Sequence, residues 1–349
     1  MTMLAARSAA FAEVPSMNSN RNENHMRIIV YGIGAVGGAI AAQLSFSGHE
    51  VVGIARGRQL DAIRVAGLTL STPQGARTAR FPVHADPAEI SFKPDDVVLL
   101  TMKSPDTFGA LQRLNAAGAM AQPICCFQNG VANEPLALRF FANVYGATVM
   151  LPADYDKPGE VAAYFAPRIG AFDIGRYPSG TDSTVEGLCR VLDASGFIVD
   201  PRDNVMSSKY RKLLANLRNI IDAVLGDVEL QRKWHAKARA EAEAVLTAAG
   251  IDWDATDAMA RENLTLSAIP GRVRVGSSTM QSIVRGTGSL ETDFLNGEIV
   301  LLGRLHGIPT PVNAAFCRLS VELASGRMQP QSAGDDTIVS LTDAINGAG

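Results

Sequence analysis

Four short apolar runs near the start of the chain predict buried β-strands. They cover residues 28–31, 50–54, 97–101 and 124–127, and stretches of helix-forming composition separate them. Runs that are apolar on both faces and alternate with helices are typical of a parallel sheet covered by helices on each side. Residues 144–178, which are richer in proline, glycine and aromatic residues, are expected to close this part of the chain with further β-structure.

The pattern changes to a helical period near residue 200. Residues 208–225 carry a stripe of large apolar side chains, and residues 230–249 form a stretch rich in alanine, glutamate and lysine that Gly250 would cap. A third helix is expected from Ser289 to residue 306, with a proline at 309 that bars its continuation. The second half of the chain is therefore predicted to be all-helical.

A glycine motif joins the first strand to the first helix. The order of strand, glycine turn and helix is what a dinucleotide-binding βαβ unit requires, because the turn and the helix N-terminus hold the pyrophosphate. We therefore predict an α/β, Rossmann-type doubly wound sheet followed by an all-α C-terminal domain. The predicted phosphate-binding residues are Gly32, Ile33, Gly34, Ala35, Val36 and Gly37.

The end of the second strand indicates which dinucleotide binds. Sites for NAD usually carry an acidic residue there, on the ribose 2′-hydroxyl, but this chain has Arg56. A guanidinium suits a 2′-phosphate through paired, charge-assisted hydrogen bonds, so we predict NADPH/NADP+ rather than NADH. The alternative is that Arg56 is an ordinary solvated loop arginine.

Composition restricts the partners and the compartment. The net charge of −3 over 349 residues gives no reason to expect nucleic acid, and no apolar run approaches the ~20 residues that span a bilayer. The four cysteines and five histidines lack metal-ligand spacing, so we expect no metal site and reduced thiols in a cytoplasmic protein.

The same patterns divide the chain into four parts. Residues 1–25 have no sustained apolar period, so we expect a disordered N-terminal extension. An NADP-binding domain is expected over residues 26–203 and a helical substrate and catalytic domain over residues 204–328. Residues 329–349 are expected to form a weakly ordered tail.

Four further motifs resemble those of one enzyme family. They are Thr-Met-Lys at 101–103, Gln-Asn-Gly at 128–130, Tyr-Arg-Lys-Leu-Leu-Ala-Asn at 210–216 and Glu-Thr-Asp-Phe-Leu-Asn-Gly at 291–297. Together with the glycine motif they resemble the ketopantoate (2-dehydropantoate 2-) reductase family over residues 26–325. The two helix motifs, in this order behind the nucleotide domain, are the most specific part of the resemblance.

The resemblance implies a fold and an activity. The helical domain would be of the 6-phosphogluconate-dehydrogenase-like type. The reaction would be reduction of a 2-keto acid to a 2-hydroxy acid by NADPH, with 2-dehydropantoate as the expected substrate, in pantothenate and coenzyme A biosynthesis. The partner is then a small-molecule 2-keto acid, and a homodimer is one option for the oligomeric state.

The resemblance also assigns roles to individual residues. Lys212 corresponds to the catalytic lysine, which would act as general acid, and Asn216 to a substrate-binding asparagine. Glu291 corresponds to the acidic residue beside the nicotinamide and substrate. Asn129 would lie near the nicotinamide and contact cofactor and substrate, and Lys103 would line the cofactor cleft. Arg56 matches an arginine that the family uses on the 2′-phosphate.

Some substrate positions depart from the family pattern. A second asparagine, expected one turn beyond Asn216, falls on Ile220, and Asn219 comes one place early. The serine that binds the substrate carboxylate corresponds to Ser278 if one residue is inserted, and to Thr279 otherwise. Three residues before Ser278, Val275 stands where an asparagine is expected. These changes leave the identity of the keto acid open.

The chemistry of ketone reduction agrees with this assignment. Negative charge develops on the keto oxygen as hydride arrives, so a proton donor must lie within reach. Lys212 and Asn216 are four residues apart and would share one helix face, and burial would lower the pKa of the lysine toward neutrality.

Each of these residues also has a simpler interpretation. Lys209, Arg211, Lys212 and Arg218 could form the wet face of an amphipathic helix. Glu291 could do no more than complement the dipole at a helix start, and the Asn-Gly pair at 129–130 could simply form a turn. At the level of the whole protein, the alternatives are a reductase of a different 2-oxo acid and a non-catalytic NADPH-binding sensor.

Overall fold

The computed structural model of the protein describes residues 26–155, 157–253, 263–274, 276–284, 286 and 290–347. The predictions for residues 1–25, Val275 and Ser289 therefore lie outside the described residues.

The described residues form fourteen strands and twelve α-helices. The strands are β1 (Arg27–Tyr31), β2 (Val51–Ile54), β3 (Leu68–Thr72), β4 (Gly75–Ala79), β5 (Val83–His84), β6 (Asp96–Leu100), β7 (Ile124–Cys126), β8 (Val144–Met150), β9 (Ala153–Asp154), β10 (Glu160–Ala163), β11 (Phe165–Pro167), β12 (Ala171–Arg176), β13 (Ile198–Pro201) and β14 (Leu264–Leu266). The helices are α1 (Ala35–Phe46), α2 (Gly57–Ala66), α3 (Thr107–Ala116), α4 (Asn133–Ala137), α5 (Ser183–Ala194), α6 (Val205–Asn216), α7 (Arg218–Val224), α8 (Val228–Ala248), α9 (Ser278–Val284), α10 (Asn296–His306), α11 (Pro311–Ala324) and α12 (Asp335–Asn346).

An eight-stranded sheet organises the part of the chain that we call the nucleotide half (residues 26–201). Its strand order is β13-β12-β8-β7-β6-β1-β2-β5, and β12 is antiparallel to β8 while the other neighbours are parallel. Apolar clusters cover both faces, one with α1 and α5 and the other with α3. The predicted parallel sheet with helices on both sides is therefore confirmed.

Most of the remaining described residues, which we call the helical half (residues 205–347), pack around α7, α8 and α11; strand β14 instead pairs with β11, so the expectation of an all-helical second half is wrong at this point. Their core includes Trp234, Phe316 and Ile338. The Asp227 side chain caps α8 by accepting a hydrogen bond from the Leu230 amide (2.8 Å), and Gly250 follows the helix with φ +64°. Among the helices of the described ranges, none is both long and apolar enough to cross a membrane.

Two predicted helices and the predicted tail differ from the elements observed. The helix expected over 208–225 is divided at Leu217, whose carbonyl accepts a hydrogen bond from Asn296 Nδ2 (3.4 Å). The helix expected from Ser289 instead has a 3₁₀ turn at Thr292–Phe294, and α10 begins at Asn296. The tail expected to be weakly ordered contains α12, which buries Ile338 completely in the core.

Candidate active site

The glycine turn lies at the carboxyl end of β1, packed tightly against the end of β6. Gly32 has φ +107°, and a Cβ there would stand 2.7 Å from the Met102 amide nitrogen. At Gly37 a Cβ would stand 2.3 Å from Thr101 Oγ1, which donates a hydrogen bond to the Gly32 carbonyl (2.8 Å). At Gly34, by contrast, the space is open. The start of α1 is thus free to receive an anionic group from the cleft side.

Arg56 lies between the end of β2 and the start of α2, next to the strand that carries the glycine turn. Its side chain is 79% exposed, and its guanidinium pairs with Asp106 at 2.8 Å. Asp106 belongs to the short 3₁₀ segment that follows β6. The arginine is therefore at the position expected for a contact with the ribose, but it shares its charge with a neighbouring carboxylate.

A buried polar network holds the ends of β6 and β7 together. The Gln128 amide donates to the Met102 carbonyl (2.9 Å) and to the Thr107 hydroxyl (2.7 Å). The Asn133 amide donates to the Asn129 carbonyl (3.2 Å), and Thr107 donates to Asn133 in turn (2.9 Å). The Asn-Gly pair at 129–130 thus forms a fixed edge where parallel strands end, which is where ligands bind in this architecture.

Helix α6 of the helical half carries Lys212 to this edge. The helix begins at an Asn204 cap, whose side chain accepts from the Ser207 amide (3.1 Å), and it lies against β8 and β12. The pKa of the half-buried Lys212 is lowered to about 7, chiefly by burial and also by the nearby Lys209 charge, while the charges of Glu291 and Asp173 oppose the lowering. The lowered pKa that the sequence analysis required is therefore present.

Glu291 reaches across from the helical half to the nucleotide half. Its carboxylate accepts hydrogen bonds from the Ser104 amide (3.3 Å) and hydroxyl (3.5 Å). Burial raises the pKa of Glu291, while the Ser104 hydrogen bonds and the charges of Lys103 and Lys212 oppose the rise. The interpretation of Glu291 as a mere helix starter is wrong, because it precedes a 3₁₀ turn and its carboxylate bonds to the other half.

A second bridge connects the halves beside the first. Lys103 Nζ donates to Ser282 Oγ (2.6 Å) on α9, one turn beyond Ser278. Ser278 is exposed and its hydroxyl accepts from Asn219 Nδ2 (3.5 Å), whereas Thr279 is 5% exposed. Of the two candidate hydroxyls, Ser278 is therefore the one accessible to a ligand.

The asparagine positions follow from the division of the helix at Leu217. Asn216 is the last residue of α6, and its Nδ2 is buried without a hydrogen-bond partner among the described residues. Ile220 is 1% exposed and belongs to the core, while Asn219 extends toward Ser278. The structure thus places the Asn219 amide, and not the side chain of residue 220, beside Ser278.

For one charged residue of this region, the structure contradicts the alternative of a wet helix face. Lys209 does not lie on a wet helix face, since it is 3% exposed. Its ammonium forms an ion pair with the fully buried Glu134 and donates to the Gln128 carbonyl (3.1 Å). The sequence signal was weak, because Lys209 lies among three other basic residues and Glu134 is 75 positions away.

The described cysteines, histidines and acidic residues form neither a metal-binding group nor a disulfide. Within the described ranges, no group of three or more histidine, cysteine or acidic side chains could hold a metal ion. Cys125, Cys126 and Cys189 are buried and unpaired with one another, and burial raises the pKa of Cys189 to about 12.

Comparison with known proteins gives this site its context. The family model described as ketopantoate reductase PanE/ApbA matches residues 28–179, and the model for the C-terminal part of the same family matches residues 204–323. The chain belongs to the ketopantoate reductase family. As a member of the ketopantoate reductases, it is an oxidoreductase that acts on CH–OH groups and depends on a pyridine nucleotide.

Individual ketopantoate reductases match along their whole length. A 2-dehydropantoate 2-reductase of Archaeoglobus fulgidus is 28% identical, over 86% of this chain and 98% of that protein. A crystal structure of a PanE/ApbA family ketopantoate reductase from Ralstonia eutropha has a TM-score of 0.72 at 28% identity, over 86% of this chain and 99% of that one.

A D-mandelate dehydrogenase crystallised with NADH and anilino(oxo)acetate shares the same architecture. Its TM-score is 0.70 at 22% identity, and the match covers 92% of this chain and 100% of that one. At this identity the likeness concerns the fold alone. Together the neighbours confirm the expected architecture, a Rossmann-like parallel sheet followed by a helical domain.

Proposed function

We propose that the protein reduces a 2-keto acid to the 2-hydroxy acid with NADPH, and that 2-dehydropantoate is its substrate. The observation that carries the proposal is the meeting of Lys212 and Glu291 from the helical half with the strand ends of the nucleotide half. The full-length relatives named 2-dehydropantoate 2-reductase support the choice of substrate.

The described residues fit a bound dinucleotide. The open space at Gly34 and the start of α1 would take the pyrophosphate, and Arg56 would bind the 2′-phosphate. Asn129, at the end of β7, and Lys103, at the end of β6, would lie along the nicotinamide end. Binding of the 2′-phosphate would require Arg56 to exchange the Asp106 carboxylate for the phosphate.

The nicotinamide, when bound, supplies the hydride. As the hydride reaches the keto carbon, the Lys212 ammonium would donate a proton to the keto oxygen and so give the hydroxyl of the product. With a pKa of about 7 the lysine holds a transferable proton at neutral pH. The protonated amine is restored from solvent, so one NADPH and one proton are consumed for each 2-hydroxy acid.

The substrate itself would be held by polar groups of the helical half. The buried Asn216 amide lacks a partner and would donate to the keto or hydroxyl oxygen of the substrate. Ser278, supported by Asn219, would bind the carboxylate. Glu291 would fix the ammonium of Lys212 by charge while Ser104 holds the carboxylate of Glu291 in place.

A panel of 2-oxo acids tests this function. Oxidation of NADPH would be followed with 2-dehydropantoate and with branched and aromatic 2-oxo acids, and kcat/KM compared. We expect 2-dehydropantoate to rank first. If another acid ranks far above it, the reductase acts on that acid, an alternative that Val275 and Ile220 favour because they depart from the family pattern in the sequence. Tight NADPH binding without any turnover would contradict the proposal and identify a sensor.

A further inference from the structure

The ion pair of Lys209 and Glu134 has no part in the chemistry described above, yet it is built into the centre of the site. Lys209 lies one helical turn before Lys212 on α6, and Glu134 belongs to α4 of the nucleotide half. Lys209 is 3% exposed and Glu134 is fully buried. The ammonium also donates to the Gln128 carbonyl (3.1 Å), at the end of β7. The pair therefore joins the catalytic helix to the strand end beside it.

The sheet is shaped to receive this part of α6. Gly146 of β8 and Gly175 of β12 lie directly opposite each other in the ladder. A Cβ at Gly146 would stand 3.2 Å from Val205 Cγ1 and 3.4 Å from Lys209 Cδ, and a Cβ at Gly175 would stand 3.0 Å from Val205 Cβ. A Cβ at Gly146 would require these neighbours to shift by a few tenths of an ångström, and one at Gly175 would also stand 2.1 Å from the Arg202 carbonyl oxygen, just before α6. The aliphatic stem of Lys209 thus lies against Gly146, where no side chain stands in its way.

Stability alone does not account for such a pair. Removing two charges from water is expensive, and a well-packed apolar pair of similar volume is often equally or more stabilising. One oxygen of Glu134 is moreover buried without a hydrogen-bond partner among the described residues. The ion pair is better explained by an effect of the Lys209 charge on the neighbouring Lys212.

We propose that Lys209 is a positioning residue, which Glu134 holds against the nucleotide half so that its positive charge favours release of the proton of Lys212. The proposal rests on the proposed function, in which Lys212 is the acid. The charged groups that face Lys212 are Lys209 on its own helix, Glu291 from the segment before α10 and Asp173 from β12. Of these, Lys209 alone lowers the pKa of Lys212, while the two carboxylates raise it.

The test measures the protonation of Lys212 directly, without turnover. Trace acetylation with acetic anhydride over a range of pH, read by peptide mass spectrometry, gives the midpoint at which Lys212 becomes reactive. The exposed Lys157 serves as internal reference. The variants are Lys209→Met, which keeps the stem, and the double variant Lys209→Met/Glu134→Gln, which leaves no unpaired buried charge if the single variant fails to fold.

A packing control separates charge from docking. Val205→Ala loosens α6 on the same two glycines without changing any charge. We expect the labelling midpoint of Lys212 to rise by about one pH unit in Lys209→Met, which means about tenfold slower labelling at a fixed pH below the midpoint, and to rise by less in the double variant, which also removes the Glu134 carboxylate. Val205→Ala should lower the melting temperature and leave the midpoint unchanged.

Two results would overturn the proposal. One is an unchanged midpoint in the folded Lys209 variants, and the other is an equal rise in Val205→Ala. Because labelling needs no substrate, failure of the proposed function would show separately, as an absence of 2-keto acid turnover in the unmodified protein. In an active protein, the pH at which reduction declines should move together with the labelling midpoint.

Discussion

Replacing Lys212 with methionine should stabilise the protein while it removes the proposed acid. The pKa of Lys212 falls from the ordinary 10.5 to about 7 in the fold, so the folded state holds the ammonium less tightly than the unfolded chain does. A tenfold change in proton affinity corresponds to ~1.4 kcal/mol, so the penalty for the charged form is at most about 5 kcal/mol. Because the side chain is partly exposed, we expect Lys212→Met to raise the free energy of unfolding by about half of this value.

The stabilising effect of Lys212→Met depends on pH. Below pH 7 both states carry the ammonium and the penalty is fully present. Between about pH 7 and 10.5 the unfolded chain binds more protons than the folded protein, so the stability of the parent rises with pH. The advantage of Lys212→Met should therefore be largest at pH 6 and disappear near pH 10.5.

Urea unfolding at pH 6, 8 and 10 would measure this difference in the free energy of unfolding. Lys209→Met is the contrasting variant, since breaking a buried ion pair should destabilise by about 3 kcal/mol. A Lys212→Met variant that is less stable than the parent at pH 6, or whose difference does not change with pH, would refute the assignment of Lys212 as a desolvated ammonium.

Three further results are expected. Arg56→Ala should lower kcat/KM for NADPH about tenfold and leave NADH almost unaffected, because only the 2′-phosphate is lost as a partner, and the exposed Arg58→Ala is the control. Ser278→Ala should raise KM for the keto acid about tenfold, whereas Thr279→Ser should not; equal effects would contradict the choice of Ser278. Reduction by the unmodified enzyme should decline as pH rises through about 7, since Lys212 then loses its proton; a pH-rate profile that is flat from pH 6 to 9 would argue against Lys212 as the donor.

The nucleotide half could be predicted closely because its signals are local. Strands buried on both faces leave continuous apolar runs, and the tight turn at Gly32 and Gly37 admits no other residue. The choice of catalytic residues depended more on the resemblance than on physics. Lys212 and Lys209 are the same residue type and lie in the same basic stretch of the chain, and only the fold shows that Lys209 is the one buried in an ion pair with Glu134.

What could not be predicted depends on contacts between distant positions. Where the helix divides, the Leu217 carbonyl accepts a hydrogen bond from the Asn296 amide, 79 positions away. Asn219, and not Ile220, then lies beside Ser278. The pairing of Lys209 with Glu134 spans 75 positions and two halves of the protein. The helical period fixes which residues share a face but cannot say which face meets another part of the chain.

The hydrogen bonds from Lys103 to Ser282 and from Ser104 to Glu291 both cross from one half to the other, next to the strand ends where the nicotinamide is proposed to lie. If a dinucleotide enters between the halves there, these bonds would have to open first. We expect the coenzyme to enter first and leave last, with the acid exchanging in the interval. Product inhibition should then be competitive between the oxidised and reduced coenzymes and mixed for every other pair.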